Sequence, residues 1–373
     1  MSHQYHRVLP SANNLSGFKE NDVIDFLITA DPSRALVTGS LALEYQLQVE
    51  KTGGTLVTMA FEDEICMKNA ACFIDQLRVE VEGKGNIENL MYYNRYCSLV
   101  NECSSTINQR FDSLNQCQGI VALRKQQHIN VCQLATQTET ATVKRDPHYM
   151  HVLKCSMNNI VGGEYKFSNG YIKISLNLAR ANKALYGRYS ATNDVQYTLK
   201  NVSLRYQSRL ADDSNKLPLM MPSYKAIKGN INSQQNVIQA LVPSQACSGV
   251  IMNFIKQSRE QLFRFDSNAG NVLKEGFDSI RFLYNSNLGE RVAYDITDLD
   301  ESQQQAADVL NENGNNNITR RAMGTDDNFV LGMNFKSLIN LNNINTQVNI
   351  NLENTAATSP YNAYLYFTEI LQM

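Results

Sequence analysis

Strict alternation of apolar and polar residues is the dominant pattern along the chain. In Ser40–Val49 (SLALEYQLQV) and in Tyr171–Leu178 (YIKISLNL), one face is apolar and the other is polar or small. Because successive side chains of a β-strand point to opposite faces, this period predicts half-buried strands. Further strands are predicted at 195–199, 202–206, 250–255, 280–284, 329–335, 348–352 and 363–367. The apolar phase slips by one residue between Leu199 and Val202, which predicts a β-bulge.

Two stretches have helical spacing instead. Asn86–Ser104 places apolar residues three and four positions apart. Asp298–Asn311 begins with acidic residues, which favour a helix N-terminus, and continues with strong helix formers. The sequence therefore predicts a mostly β protein with a few short helices.

A short motif occurs twice in the chain. Asp-x-(Leu/Ile)-Arg lies at Asp75–Arg78 and again at Asp278–Arg281, 203 positions later, and a predicted helix follows each copy. Two further pairs of segments keep this order: Ala-Leu-Val at 35–37 and 240–242, and closing strands at 201–207 and 361–371. The repeated order predicts a duplicated structural unit.

The segment between the two units is polar and contains prolines. It spans Ala211–Ser223 (ADDSNKLPLMMPS), a composition typical of a link between domains. A chain of 373 residues also exceeds the usual size of one hydrophobic core. We therefore predict an N-terminal domain over residues 1–216, with a long loop insertion at about 106–147, and a C-terminal domain over residues 217–373.

The predicted fold class is all-β, with two tandem eight-stranded jelly-roll β-sandwiches and short helices in the connections. Two packed sheets bury one face of every alternating strand. The jelly roll is one of the few architectures that protect the sheet edges at this number of strands. The polar faces then meet solvent or a neighbouring molecule.

This organisation resembles the double jelly-roll major capsid proteins of tailless icosahedral double-stranded DNA viruses. That lineage includes tectiviruses, adenovirus hexons, polinton-like viruses and virophages. The resemblance rests on the tandem units and on the Ala-Leu-Val and Asp-x-(Leu/Ile)-Arg repeats, and it covers the chain from about Asn21 to the C-terminus. It implies a structural protein, not an enzyme, that forms homotrimers. Such trimers are pseudo-hexagonal capsomers that tile an icosahedral shell.

The resemblance also implies partners and a location. The expected partners are further copies of the chain, neighbouring capsomers, and minor capsid or vertex proteins. The resemblance is also compatible with contact to an inner viral membrane. The chain is expected in the virion after synthesis in the host cell cytoplasm. The segment before Asn21 is expected to be mobile until it meets the membrane or a neighbouring capsomer. The long loops, including 106–147, are expected to decorate the outer surface or to lock neighbouring subunits.

Charge and cysteine content restrict the function further. The net charge is −2 and no basic stripe is present, which argues against direct, sequence-specific nucleic-acid binding. The N-terminus has no apolar core of a signal peptide, and no apolar run reaches the roughly 18 residues that span a bilayer. These features predict a chain that is made and folded in a cytosol or a nucleus. The eight cysteines are dispersed without regular spacing, so we predict reduced, buried thiols.

Several residues resemble parts of chemical sites without completing one. His148, His151 and Cys155 match no standard zinc spacing, and on a strand the two histidines point to opposite faces. Other partial matches are the cysteine pairs Cys66/Cys72 and Cys97/Cys103, the acidic run Glu62–Glu64, and the glycine-rich turn Gly83–Asn86. They lack, respectively, redox-motif spacing, a calcium-loop pattern and a P-loop lysine. We therefore predict no catalytic, cofactor-binding or metal site, and no cofactor.

The repeated Asp75/Arg78 and Asp278/Arg281 pairs remain the most distinctive polar feature. Either they are surface ion pairs that contribute little to stability, or they help to hold adjacent subunits. Two alternative functions stay open: a carbohydrate-binding or carbohydrate-cleaving tandem jelly roll, and a minor or vertex capsid protein with a single roll. The absence of tryptophan and of a paired-carboxylate motif counts against carbohydrate chemistry.

Overall fold

The structure is a computed structural model in which most of the described chain is β-strand. The described residues are 3–12, 14, 16–51, 65–67, 69–104, 129–130, 148–160, 164–166, 170–187, 195–211, 220–232, 235–240, 246–261, 277–285, 291–296, 304–309, 330–341, 346–352 and 360–372. None of the helices in these ranges is long and apolar enough to cross a bilayer.

Strands from the first part of the chain form one sandwich, the N-terminal roll. The strands are β1 (Gln4–Val8), β2 (Val23–Thr29), β3 (Arg34–Val37), β4 (Ala42–Lys51), β5 (Ile65–Met67), β6 (Ile74–Val81), β7 (Gly85–Met91), β8 (Ile129–Asn130), β9 (His148–Val152), β10 (Glu164–Lys166), β11 (Tyr171–Leu178), β12 (Leu185–Gly187) and β13 (Val195–Leu210). One sheet has the order β1-β13-β4-β9, in which β3 extends β4 and β10 extends β9. The facing sheet has the order β2-β11-β6-β7.

The rest of the chain forms a second sandwich, the C-terminal roll. Its strands are β14 (Met220–Ile231), β15 (Gln235–Ala240), β16 (Cys247–Lys256), β17 (Phe277–Asn285), β18 (Arg291–Ile296), β19 (Leu331–Ile339), β20 (Thr346–Leu352) and β21 (Tyr361–Gln372). The sheets have the orders β14-β21-β16-β19 and β15-β20-β17-β18. We letter the eight strand positions of each roll B to I in chain order. The C-terminal roll fills them with β14 to β21, and the N-terminal roll fills them with β1, β2, β3 and β4 together, β6, β7, β9 and β10 together, β11 and β13. Both rolls then have the sheets B-I-D-G and C-H-E-F. The predicted fold class of two tandem jelly rolls is confirmed.

The predicted repeat is partly confirmed by this topology. Asp75–Arg78 lies in β6 and Asp278–Arg281 lies in β17, and both strands occupy position E. The closing strands β13 and β21 both occupy position I. The two Ala-Leu-Val segments precede β4 and β16, which both occupy position D. Residues 35–37 form β3 and Ala240 ends β15, while residues 241–242 lie outside the described ones.

Short helices occupy the connections between strands. They are α1 (Tyr93–Ser104), α2 (Ala181–Ala184), α3 (Gln257–Gln261) and α4 (304–309). The predicted helix over Asn86–Ser104 is wrong in its first part, since Gly85–Met91 is β7. Glu88 and Leu90 are buried there and alternate with the half-buried Ile87 and the exposed Asn89 and Met91, and Tyr92 with a positive φ of 55° separates β7 from α1. The glycine-rich turn at 83–86 joins two strands of a hairpin, not a strand and a helix.

Two local predictions about strands are settled by backbone pairing. The predicted bulge is confirmed: segments 195–199 and 202–206 form the single strand β13, whose register with β4 shifts between Lys200 and Ser203. The segment before Asn21 is not unstructured, because β1 pairs with β13 and Phe18 is buried in the core. Position B of the N-terminal roll therefore comes from residues that the resemblance had left outside the fold.

Loops at one end of the N-terminal roll form a small third sheet of order β12-β5-β8. Strand β8 is the only described part of the predicted insertion at 106–147. The predicted domain boundary at residues 216–217 falls between β13 and β14, outside the described residues, and remains a prediction. Pro222, which was assigned to the link, lies within β14.

The C-terminal roll uses both faces of its B-I-D-G sheet for packing. Along β21, Ala363, Leu365 and Phe367 pack into the core of their own roll. Tyr364 and Tyr366 alternate with them and join the core of the N-terminal roll. This double burial explains why β21 reads as almost continuously apolar.

Candidate functional site

The two rolls meet through dissimilar surfaces. The N-terminal roll contributes its F strand, β7, and the helix α1 that follows. The C-terminal roll contributes the outer face of β14, β16 and β21. We call this contact the roll junction.

A buried carboxylate lies where β7 crosses β14. Glu88 is 2% exposed, and one of its oxygens accepts hydrogen bonds from the backbone N–H and the hydroxyl of Ser156, at 2.7 and 2.9 Å. Its other oxygen accepts a hydrogen bond of 3.3 Å from the backbone N–H of Tyr224. The hydroxyl of Ser223 donates to the carbonyl of Ile87 at 3.1 Å. Burial raises the pKa of Glu88 to about 7, although these hydrogen bonds oppose the rise.

Beside this carboxylate, aromatic side chains fill the junction. The ring of Tyr96 on α1 lies 4.9 Å from that of Tyr224 and 5.2 Å from that of Tyr366. Tyr92 meets Tyr364 edge to face at 5.0 Å. Such ring pairs favour tilted and edge-to-face geometries, and they add to the free energy of apolar burial.

At the rim of the junction, the carboxylate of Glu260 on α3 interacts with hydrogen-bond donors and cationic groups from both rolls. It pairs with Arg95 of α1 at 3.5 Å and with Lys228 of β14 at 3.0 Å, and it accepts hydrogen bonds from the hydroxyl of Tyr364 and the amide of Asn362. Burial alone would raise the pKa of Glu260, but Arg95, Tyr364 and Lys228 outweigh it, and the pKa lies below its usual value. The carboxylate therefore stays ionised at neutral pH.

These groups border an open cavity of about 340 Å³ between the rolls. Asp75 from the repeated motif lines it, together with Lys183 of α2 and Tyr92. The motif is therefore divided between two surfaces. Arg78 is exposed on the outer face of the C-H-E-F sheet, where it donates to Gln76 at 3.3 Å.

The second motif has an equivalent backbone setting. Arg78 is opposite Asn89 on β7 and Arg281 is opposite Asp295 on β18, and both arginines are exposed. The side chain of Asp278 lies outside the described residues. The role of these motifs in holding subunits stays a prediction.

The predicted opposite orientation of the two histidines is confirmed. His148 is exposed, whereas His151 is 1% exposed and its Nε2 lies 2.9 Å from the hydroxyl of Tyr93. Burial lowers the pKa of His151 to about 3, so the ring is neutral. Cys97 and Cys155 are buried thiols in the same region. Across the described ranges, no three His, Cys, Asp or Glu side chains converge in a way that is able to hold a metal ion.

Other sequence candidates lie outside the described residues. They are the acidic run Glu62–Glu64 and the side chains of Cys66 and Cys103. Cys72 is buried in the N-terminal core, as expected of a small apolar side chain.

Sequence reasoning missed the roll junction. Its only detectable signal was the lack of a polar face on β21, in which every residue from Tyr361 to Glu369 is buried. A strand with both faces covered indicates a third layer. Glu88 gave no signal, because a glutamate between Ile87 and Asn89 is equally typical of an exposed strand face.

No known family profile and no curated protein matches the sequence. Solved structures with the same fold do match over nearly the whole chain. The Faustovirus major capsid protein has a TM-score of 0.65 at 8% identity, covering 100% of this chain and 90% of that one. VP54 of PBCV-1, fitted into a reconstruction of the virophage Sputnik, gives 0.58 at 10% identity with coverages of 100% and 95%. The mavirus major capsid protein gives 0.51 at 9% identity with coverages of 98% and 86%. The chain therefore has the double jelly-roll fold of these viral capsid proteins.

Proposed function

We propose that this chain is a structural major capsid protein whose trimers form pseudo-hexagonal capsomers of an icosahedral virus shell. The observation that carries the proposal is the identical strand order of two jelly rolls within one chain. A duplicated domain allows three chains to present six similar units around one axis, so that a three-fold assembly fills a hexagonal position. The capsid proteins with the same fold support this choice.

The roll junction supports the proposal physically. Tyr96, Tyr224 and Tyr366 are each at most 2% exposed, so the two rolls share an apolar core. A shared core fixes the angle between the rolls better than a flexible linker does. A block that tiles a shell needs such a fixed shape.

The proposal includes the partners and the domain division. The chain associates with itself and with neighbouring capsomers, resides in the virion after synthesis in the host cytoplasm, and acts without catalysis or a cofactor. Minor capsid proteins, vertex proteins and an inner membrane are further proposed contacts. The domain boundary is proposed at residues 216–217, between β13 and β14. With two rolls in the chain, the alternative of a single roll plus an unrelated domain is excluded.

Light scattering after size-exclusion chromatography tests the proposal. The expected particle has three times the chain mass of 42.0 kDa and a hexagonal outline in negative-stain images. Glycan-array binding by the same sample is the matched assay for the carbohydrate alternative. A particle that stays monomeric at all concentrations and binds glycans would overturn the capsid proposal.

A further inference from the structure

The cavity between the two rolls carries charged groups that the capsid role does not use. Its described lining residues include three cations, Arg95, Lys183 and Lys228, and two carboxylates, Asp75 and Glu260, so the lining has a net charge of +1. Its volume of about 340 Å³ lies within the range of roughly 300–1,000 Å³ that is typical of small-molecule sites. The cavity is therefore large enough for a small organic molecule.

One side of the cavity holds its charges in fixed positions. We call it the Glu260 wall: Glu260, Arg95, Lys228 and Tyr364. The carboxylate of Glu260 pairs with Arg95 at 3.5 Å and with Lys228 at 3.0 Å. Both cations also lie over the ring of Tyr364, at 5.2 and 5.5 Å from its centroid. Because two cations share one carboxylate, this wall keeps an excess positive charge.

On the N-terminal roll, two further charged groups line the cavity without partners. Asp75 comes from β6 and Lys183 from α2. Within the described part of the chain, neither side chain forms a hydrogen bond or an ion pair, and the two do not pair with each other. Burial, and then the charge of Asp75, raise the pKa of Tyr92, which places this carboxylate near that ring. A half-buried carboxylate without a donor is a favourable site for a cationic group.

The lining therefore calls for three charged groups on one ligand. An ammonium group satisfies Asp75 and is also attracted to the ring of Tyr92. One carboxylate pairs with Lys183, and a second neutralises the excess charge of the Glu260 wall. An α-amino acid with an acidic side chain carries these three groups, and its net charge of about −1 at neutral pH balances the charge of the lining.

We propose that this cavity binds an acidic α-amino acid such as glutamate, with its ammonium at Asp75 and its carboxylates at Lys183 and the Glu260 wall. The inference goes beyond the capsid function and does not depend on it. Since the binding groups come from both rolls, the bound amino acid bridges them and stabilises the folded chain.

Isothermal titration calorimetry of the full chain with L-glutamate tests the proposal. Two analogues are the matched probes: glutarate lacks the ammonium, and L-glutamine lacks the second carboxylate. L-glutamate is expected to bind at least about ten-fold more tightly than either analogue, because each analogue loses one hydrogen-bonded charge pair. Equal affinities for the three compounds, or no binding of L-glutamate, overturn the inference.

Variants of the two unpaired residues locate the site. Asp75→Asn is expected to remove the preference for L-glutamate over glutarate, and Lys183→Gln is expected to weaken L-glutamate binding by about ten-fold. Lys84→Gln is the control, because Lys84 is exposed in the turn at the other end of β6. Circular dichroism melts verify that each variant folds. If Asp75→Asn and Lys183→Gln both bind L-glutamate as the wild type does, the cavity is not the site.

Light scattering of the same samples separates this inference from the capsid proposal. If the chain forms trimers and L-glutamate does not bind, the cavity inference alone fails. If L-glutamate binds with the expected preference to a chain that never associates, the cavity inference stands and the capsid proposal fails.

Discussion

The carboxylate of Glu88 in the N-terminal roll accepts a hydrogen bond of 3.3 Å from the backbone N–H of Tyr224 in the C-terminal roll. Both residues are almost fully buried, so this bond lies inside the roll junction. Burial raises the pKa of Glu88 to about 7. The junction therefore contains an acid that titrates near neutral pH.

The first prediction is a pH dependence that Glu88 controls. When folding raises the pKa of a carboxyl group, the protonated group stabilises the folded state. This contribution is complete below the pKa of the unfolded state and is lost as the pH rises through the pKa of the folded state. One pKa unit corresponds to about 1.4 kcal/mol, so a rise from 4.5 to about 7 corresponds to about 3 kcal/mol. The free energy of unfolding is expected to fall between pH 5 and about pH 8 in urea titrations.

The variant Glu88→Gln cannot ionise, so this part of the pH dependence is expected to disappear. Its amide nitrogen cannot accept from Tyr224, which is expected to cost about 1 kcal/mol at low pH. The control is Glu44→Gln. Glu44 is buried beside Arg205 on the outer face of the B-I-D-G sheet of the N-terminal roll, outside the roll junction. A Glu88→Gln protein with the pH slope of the wild type would contradict the assignment.

The alternating strands were predictable because one buried face per strand leaves a period of two in the sequence. β11 was predicted with its observed bounds, Tyr171–Leu178, and its burial alternates without a break. The fold class followed from such strands and from the Asp75 and Asp278 motifs at position E of each roll.

Features that depend on two distant segments were not predictable. β7 was predicted as a helix because Ile87, Leu90 and Met91 have helical spacing, and the backbone pairing with β6 overrides this local pattern. The roll junction brings Glu88 within hydrogen-bonding distance of a backbone 136 positions away. No local pattern encodes that distance.

The second prediction concerns the aromatic packing of the junction. Tyr96→Ala is expected to lower the free energy of unfolding by about 3–5 kcal/mol, since it leaves a cavity between the rings of Tyr224 and Tyr366. Tyr171→Ala, on a half-buried strand position, is the control and is expected to cost about 1 kcal/mol or less. Chemical denaturation measures both. Equal losses in the two variants would contradict a packing role for Tyr96.

The third prediction tests the charged rim. Glu260→Gln leaves Arg95 and Lys228 without their carboxylate, and the expected loss of stability is about 2 kcal/mol. The pair between Asp25 and Lys173 is about one-third exposed, and Asp25→Asn is expected to cost under about 1 kcal/mol. If Asp25→Asn lowers the thermal stability as much as Glu260→Gln does, the charged rim contributes no more to stability than an ordinary surface ion pair.

The fourth prediction concerns the buried thiols. Burial raises the pKa of Cys97 to about 12 and raises that of Cys155 as well, so neither forms the reactive thiolate at neutral pH. Both are expected to resist iodoacetamide in the folded protein and to react fully in urea. Peptide mass spectrometry gives the modified fraction at each site. Rapid labelling of Cys97 in the native protein would show that α1 opens.

The fifth prediction concerns a glycine on which a helix rests. A Cβ built on Gly332 of β19 would lie 2.6 Å from the Cα of Ala306 in α4, a distance at which backbone atoms must move. Gly332→Ala is therefore expected to destabilise the protein by about 1–3 kcal/mol. Leu338→Ala on the same strand is the control, because Leu338 is 54% exposed and its loss is expected to cost about 0.5 kcal/mol or less.

Since α4 covers the sheet that carries Ile251 of the junction core, Gly332→Ala is also expected to expose apolar surface. Fluorescence of a hydrophobic dye measures that exposure, and an unchanged signal together with unchanged stability would rule out close packing of α4 on β19.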